Sequence, residues 1–340
     1  MNLAKVRPSL LGLLASGALL GLALPAAPSA AALPQANVES VDFVTPQIGF
    51  AVIASGAAAQ PAPKLYETVD AGRNWAPVAG GLPTQSANPY MGATVAFATR
   101  SDGIALMSTG AGACQAGWDA YRTANGGRTW RPAGKILGSD GPIAAAAAAG
   151  ASPWLLNGSC AGPYAQLYRN SGTTWPQARM FQLSAAAAKT HFSPSAVSLQ
   201  RYDGRRAFLA IAYYPGQPGP GTPLITGFGT ASGGAAWQAV AIGSRALRGT
   251  VRAVGFYSAA LGLAAVATQN GSTSLQLTRD HGASWLPVQG VRIPNAGYIP
   301  YVRSIQWLSP QVADVVVGQT LWRTADGGGT WRAITQAWPK

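Results

Sequence analysis

Thr324-Ala325-Asp326-Gly327-Gly328-Gly329-Thr330-Trp331 is the sharpest copy of a phrase that this chain writes six times. Counting back from the tryptophan, Gly lies three residues earlier, Asp five and Thr seven. Thr68, Asp70, Gly72 and Trp75 repeat that order, and so do Thr278, Asp280, Gly282 and Trp285. Thr123, Asn125, Gly127 and Trp130 keep it with Asn in place of Asp. Two copies are worn: Tyr168, Asn170, Gly172 and Trp175, and Thr230, Ser232, Gly234 and Trp237. The phrase reads as a hairpin turn. Asp, Asn or Ser at the third place can bond backbone N–H groups two residues on. Gly supplies a positive φ, and Trp begins the next strand as a large apolar anchor.

Six copies at intervals of 45 to 62 residues predict a repeat architecture. Outside the repeats stands the start of the chain. Lys5 and Arg7 precede an apolar run from Leu10 to Leu24, Pro25 ends it, and Ser29-Ala30-Ala31 offers small residues for cleavage. That pattern predicts a secretory signal peptide over residues 1–32, hence a secreted or periplasmic protein. The run is too short to span a bilayer. In residues 33–340, the segments before Trp75 and after Trp331 together make one further period. Six repeats therefore account for the whole of it. The expected fold is all-β, a single β-propeller of four-stranded blades, six in number with seven as the alternative.

Each repeat shares an inner grammar of strand, tight turn and strand ahead of the hairpin. Val38 to Val44 and Gly49 to Ala54 flank Thr45-Pro46-Gln47; Ala93 to Thr99 and Ile104 to Thr109 flank Ser101-Asp102-Gly103. The later repeats show Ala196 to Tyr202 with Ala207 to Tyr213, Val251 to Tyr257 with Gly262 to Thr268, and Val302 to Leu308 with Val312 to Gly318. Ala144 to Ala149 is helical by propensity. Its place in the repeat is an innermost strand near a crowded axis, and a strand is expected there. Leu183 to Lys189 is expected to hold a short helix. The turns after first and third strands share one face of the disc and are short. The longer loops, with Tyr90, Tyr213, Tyr214, Tyr298 and Tyr301, fall on the other face, where a partner is expected.

Cys114 and Cys160 occupy nearly the same place in neighbouring repeats, and in an exported chain a disulfide between them is expected. The formal charge is +13 for the whole chain, mostly from arginine, and removal of the leader takes away Lys5 and Arg7. Such a surplus points to an acidic protein or an anionic cell-envelope component. No nucleic-acid motif is present, a monomer is expected, and membrane contact is at most peripheral. The candidate partner-binding residues are Arg201, Arg205 and Arg206, Arg245, Arg248 and Arg252, and Tyr213 and Tyr214.

The quoted motif is similar to S/T-x-D-x-G-x-x-W, and the chain resembles the Asp-box (BNR-type) β-propeller proteins. Within them it is most similar to the photosystem II stability/assembly factor-like group of exported propellers, typically seven-bladed. That resemblance implies a non-catalytic scaffold that binds through a basic surface, with hairpins that are structural. The Asp-box proteins also include sialidases and other glycosidases, so a carbohydrate-binding or sialidase-like reading is the alternative. Glycosidase chemistry needs paired carboxylates. Only two glutamates occur, Glu39 and Glu67, and Asp70, Asp280 and Asp326 belong to the hairpins. Asp42, Asp102, Asp119, Asp140, Asp203 and Asp314 remain. No Ser-His-Asp set, metal-ligand spacing or cofactor motif emerges, and His191 and His281 stand far apart. No catalysis, metal or cofactor is expected.

Overall fold

The computed structural model describes residues 37–54, 63–83, 92–109, 117–137, 141–216, 221–268, 272–291, 293, 302–335 and 338–339. The leader, Cys114, Asp140, Tyr90, Tyr298 and Tyr301 lie outside them. Six antiparallel four-stranded sheets, each of four consecutive strands, form the blades of a six-bladed β-propeller. Blade 1 is β1 (Asn37–Phe43), β2 (Gly49–Ala54), β3 (Pro63–Thr68) and β4 (Ala76–Pro77). Blade 2 is β5 (Ala93–Phe97), β6 (Gly103–Ser108), β7 (Gly117–Thr123) and β8 (Arg131–Leu137). Blade 3 is β9 (Ile143–Ala148), β10 (Ala151–Gly158), β11 (Tyr164–Arg169) and β12 (Gln177–Gln182). After α1 (Ala185–Ala188), blade 4 is β13 (His191–Arg201), β14 (Ala207–Pro215), β15 (Leu224–Thr230) and β16 (Gln238–Ile242). Blade 5 is β17 (Thr250–Phe256), β18 (Gly262–Ala267), β19 (Thr273–Thr278) and β20 (Leu286–Pro287). Blade 6 is β21 (Val302–Trp307), β22 (Ala313–Val317), β23 (Thr320–Thr324) and β24 (Arg332–Thr335).

The alanine run is a strand, as its place in the repeat required. β9 ladders onto β10 and lines the central channel, so tertiary pairing overrides helix propensity. The second strand of each blade is nearly all buried. Its residues alternate between the two neighbouring blades: Phe50 and Val52 pack toward blade 2, Ala51 and Ile53 toward blade 6.

The hairpins correct the expected bond pattern. The third-place side chain reaches four residues on, and the threonine hydroxyl does the rest. Thr324 Oγ1 accepts the Gly328 N–H at 2.8 Å and donates to Asp326 Oδ1 at 2.8 Å, which accepts the Thr330 N–H at 2.9 Å. The Thr68/Asp70, Thr123/Asn125 and Thr278/Asp280 hairpins repeat this set. In blade 4, Ser232 Oγ accepts the Ala236 N–H at 2.8 Å. The hydrogen bonds they receive hold the aspartates below the ordinary carboxyl range, chiefly from the Asn74 N–H for Asp70 and the Thr330 N–H for Asp326. Two consecutive residues take positive φ, such as Gly327 (72°) and Gly328 (97°), and even Ala71 (67°) and His281 (61°) comply. The second glycine is needed twice over: a Cβ on Gly127 would lie 2.3 Å from Leu65 of blade 1.

Blade 3 departs from this pattern. Tyr168 has no β-hydroxyl to accept the glycine N–H, and Asn170 turns inward. Its Nδ2 donates to the Ala133, Gly172 and Thr174 carbonyls instead of capping the turn. Asn170 is thus a tie to blade 2, with Gly172 (71°) keeping the left-handed turn.

The tryptophans precede their strands by one residue, or two for Trp175, and pack toward the preceding blade. Trp130 Nε1 donates to Gly81 O, Trp175 to Ala133 O and Trp285 to Gly243 O. Trp75 donates to Thr335 Oγ1 of blade 6 at 3.1 Å, which closes the ring. Trp237 Nε1 is buried with no hydrogen-bond partner among the described residues. Trp331 Nε1 bonds within its own turn, to Gly328 O.

Candidate functional site

The first strands of all six blades surround a channel of about 1050 Å³. First turns bond to hairpin turns in the same blade, as in Ala71 N–H to Gln47 O and Gly126 N–H to Ser101 O. The first strands therefore start on the face opposite the hairpins and end on the hairpin face.

The channel has two unlike walls. Blades 6, 1 and 2 are stitched by polar side chains. Glu39 Oε2, Ser40 Oγ and Asp42 Oδ2 accept the N–H groups of Ala93, Val95 and Phe97, at 2.7, 3.3 and 2.6 Å. Every second N–H along the inner edge of β5 is thus capped by β1. Gln306 donates to Asp42 Oδ1 at 2.9 Å and accepts the Phe43 N–H at 2.8 Å. The other wall is Ala144 to Ala149 with Ala196 to Leu199 and Gln200, richer in small and apolar side chains. Burial pushes the Asp42 carboxyl up to about 6, with the Phe97 N–H and Gln306 amide pulling it back, and burial raises Glu39 too. These two channel carboxylates were not singled out from sequence. The available signal was Val38-Glu39-Ser40-Val41, which Val251-Arg252-Ala253-Val254 and Val302-Arg303-Ser304-Ile305 repeat with a charge in second place.

The sequence-proposed cationic and aromatic residues do not gather into one patch. Arg201 is not a surface group: it is buried, its Nη1 donates to Ser152 O at 2.6 Å, and its guanidinium lies 4.2 Å from the Trp154 ring centroid. It stands in the register place that Phe43, Phe97 and Phe256 hold in other blades. Burial, then the charge of Arg169, lowers its pKa to about 10. Tyr213 is also corrected. It is 1 % exposed, because β14 runs on to Pro215 and turns this residue inward, while neighbouring Tyr214 is exposed. Burial drives the Tyr213 phenol pKa upward.

Arg206 is committed on the hairpin face, its Nε 2.7 Å from Asp203 Oδ2. Asp203 also accepts the Arg205 and Arg206 N–H groups, and these bonds, the Arg206 N–H first, bring it down to about 2. The Arg205 side chain stays exposed beside it. Arg248 donates to Thr222 Oγ1 at 3.1 Å, in the loop after β14, which places it with exposed Arg245 on the face opposite the hairpins. Arg252 is separate from both, on β17 in the channel lining. Among the described residues no group of three His, Cys, Asp or Glu side chains could hold a metal ion.

No protein-family model matches the chain, and no characterised protein matches it by sequence. Solved structures do. The fucose-specific lectin from Aleuria aurantia superposes with a TM-score of 0.56 at 11% identity, over 90% of this chain and 97% of the lectin. The α-L-arabinofuranosidase Arb93A from Fusarium graminearum gives 0.54 at 10% identity, over 88% and 95%. YCF48 bound to a D1 peptide gives 0.46 at 14% identity, over 86% and 94%. The first two likenesses show the β-propeller fold, which in those solved structures carries a lectin and a glycosidase alike.

Proposed function

We propose that the protein is an exported, non-catalytic propeller of the Asp-box kind that binds an acidic protein or an anionic cell-envelope component. One observation carries this reading: the described carboxylates are all engaged within the molecule, while many guanidinium groups have no carboxylate partner among the described residues. Glu67, Asp102, Asp119, Asp203 and Asp314 pair with Arg100, Arg122, Lys135, Arg206 and Arg323. Asp70, Asp280 and Asp326 hold hairpins, and Glu39 and Asp42 cap β5. Exposed Arg73, Arg131, Arg179, Arg205, Arg245, Arg248 and Arg332 have no carboxylate partner among the described residues. A surface so biased attracts anions and repels cations.

The sialidase-like alternative would take Glu39 and Asp42 as acid and base. Both lie on one strand and both are spent on main-chain N–H groups of the next blade, which favours a structural role. The export reading also takes Cys114 and Cys160 as a disulfide. Under denaturing, non-reducing conditions the purified mature protein is then expected to resist thiol alkylation at both.

The test is capture of partners from the organism's own envelope extract at low and high salt, with an Arg245→Ala/Arg248→Ala variant alongside. The expected result is an acidic partner lost at high salt and depleted by the variant. Retention of neutral glycan alone, indifferent to salt, would overturn the reading in favour of the sugar-binding alternative.

A further inference from the structure

The joint between blades 3 and 4 gathers positive charge at its hairpin-face end. β11 ends there at Arg169 and β13 at Arg201. Both guanidinium groups lie on one indole: Arg201 Cζ is 4.2 Å and Arg169 Cζ 5.4 Å from the Trp154 ring centroid. That holds the two Cζ atoms within about 10 Å of each other. Like charges so placed repel, and the charge of Arg169 is felt at Arg201. Across the ladder from Arg323 stands Asp314, which takes up its charge. Across from Arg169 stands Trp154, which stacks against a cation but does not neutralise it.

Little at this joint accepts from these groups. Arg201 is 9 % exposed; its Nη1 donates to Ser152 O, and its Nε is buried with no hydrogen-bond partner among the described residues. Trp154 Nε1 and Trp237 Nε1, on rings 5.8 Å apart, are buried and unpartnered in the same sense. All three are donors. Arg169 has no ion pair among the described residues, and only its stacking on Trp154 holds it. The carboxylate that acts on Arg201 is that of Asp203, and it is committed to the Arg206 side chain and to two N–H groups. Arg169, Arg201 and Arg206 against Asp203 leave two positive charges unbalanced. Stacking uses the flat face of a guanidinium and leaves its in-plane N–H groups to donate. Arg201 lines the channel and Arg169 is half-buried. The turn that leads to Ser152 is open, since a Cβ on Gly150 would meet nothing within 4 Å.

We propose that Arg169 and Arg201 together hold a dianionic oxyanion, sulfate or a phosphoryl group, at the hairpin-face end of this joint. Two charges on the ion match the two that are unbalanced, and guanidinium forks suit its oxygens. Arg169 has no ion pair to break in turning toward it. The site goes beyond the envelope-partner reading and shares none of the exposed arginines on which that reading rests.

The experiment is a calorimetric titration of the purified protein with sulfate, phosphate at pH 8, dimethyl phosphate and glucose 6-phosphate, at ionic strength matched with chloride. Sulfate and phosphate are expected to bind with Kd on the order of 1 mM or tighter. Dimethyl phosphate, with a single charge, is expected to bind at least about tenfold more weakly. Glucose 6-phosphate binding as phosphate does would assign a phosphoryl group carried on a larger molecule, and its exclusion would assign the free ion. Arg169→Gln is expected to weaken sulfate about tenfold. Without the ion it is expected to raise the urea midpoint, because a like charge leaves the neighbourhood of Arg201. Lys64→Gln, which removes an exposed charge from blade 1, is expected to change neither. Arg201→Gln also gives up the bond to Ser152, so Arg169→Gln carries the test if the former misfolds. No binding of sulfate or phosphate, equal binding of dimethyl phosphate, or unchanged affinity in Arg169→Gln overturns the site. A lowered midpoint in ion-free Arg169→Gln would assign that arginine to packing on Trp154 and overturn its role. Failure of envelope capture with sulfate bound would reject the exposed arginines and keep this site.

Discussion

The seam between blades 6 and 1 and the joint between blades 3 and 4 solve one problem with different chemistry. Every blade is a closed set of four consecutive strands, so among the described residues no main-chain ladder ties blade to blade and side chains do most of it. At the seam an apolar layer of Ile53, Val316 and Leu321 is joined by polar ties. Arg323 pairs with Asp314 at 2.6 Å, donates to Pro46 O and lies 4.4 Å from the Phe43 ring centroid. Gln306 holds Phe43 and Asp42, and Trp75 meets Thr335. At the other joint Trp154, Leu156, Leu209, Ile211 and Tyr213 pack as an apolar layer, with a polar tie from Arg201 to Ser152 O at its end. Blades 3 and 4 are consecutive, joined through α1. Blades 6 and 1 come from opposite ends of the propeller sequence, and directional bonds specify which surfaces meet.

The comparison can be broken from either side. Tyr213→Ala empties a fully buried place in the apolar joint and is expected to cost about 3–5 kcal/mol, read as a lowered urea midpoint. Arg323→Gln strands Asp314 in the seam and is expected to cost nearly as much, about 3–5 kcal/mol. Replacing the pair together, Arg323→Met with Asp314→Leu, is expected to restore most of that loss. If it does not, the seam depends on the contacts to Phe43 and Pro46 more than on burial of the pair.

Asp42 sharpens the comparison through pH. Its folded pKa of about 6 stands above the ordinary 3.8, so the folded state binds the proton more tightly. The resulting stabilisation is full below about pH 4 and is lost as pH rises through 6. An urea-midpoint series is expected to lose about 2–3 kcal/mol of downward slope across that window in Asp42→Asn. Unchanged slope would assign it to other groups raised by burial, Glu39 and Asp314.

Smaller effects come from the hairpins and the surface. Thr324→Val removes the buried acceptor of the Gly328 N–H and is expected to cost about 1–3 kcal/mol. Tyr214→Ala, next to the most sensitive residue named here, is expected to stay within about 0.5 kcal/mol. A large loss there would mean that the exposed side of β14 is covered.

The blade count, the strand order within blades and the alanine strand were legible because each hairpin spells itself out within eight residues. The bond pattern was partly misread: the reach of Asp326 to Thr330 N–H depends on two left-handed residues in succession, which Ala71 and His281 disguise. For Arg201 and Tyr213, charge and a loop-side position suggest exposure in the sequence. Their burial depends on Trp154 and on how far β14 extends, and neither is local information.

The sequence by itself determined the propeller and its six hairpins, since those bonds close over a few residues and repeat with a period. Tertiary structure alone decided the site. Asn37 and Arg303 are distant in the chain and meet only because the ring closes. Glu39, Arg252 and Arg303 sit at one-residue slips in register, and a slip is a property of two strands together.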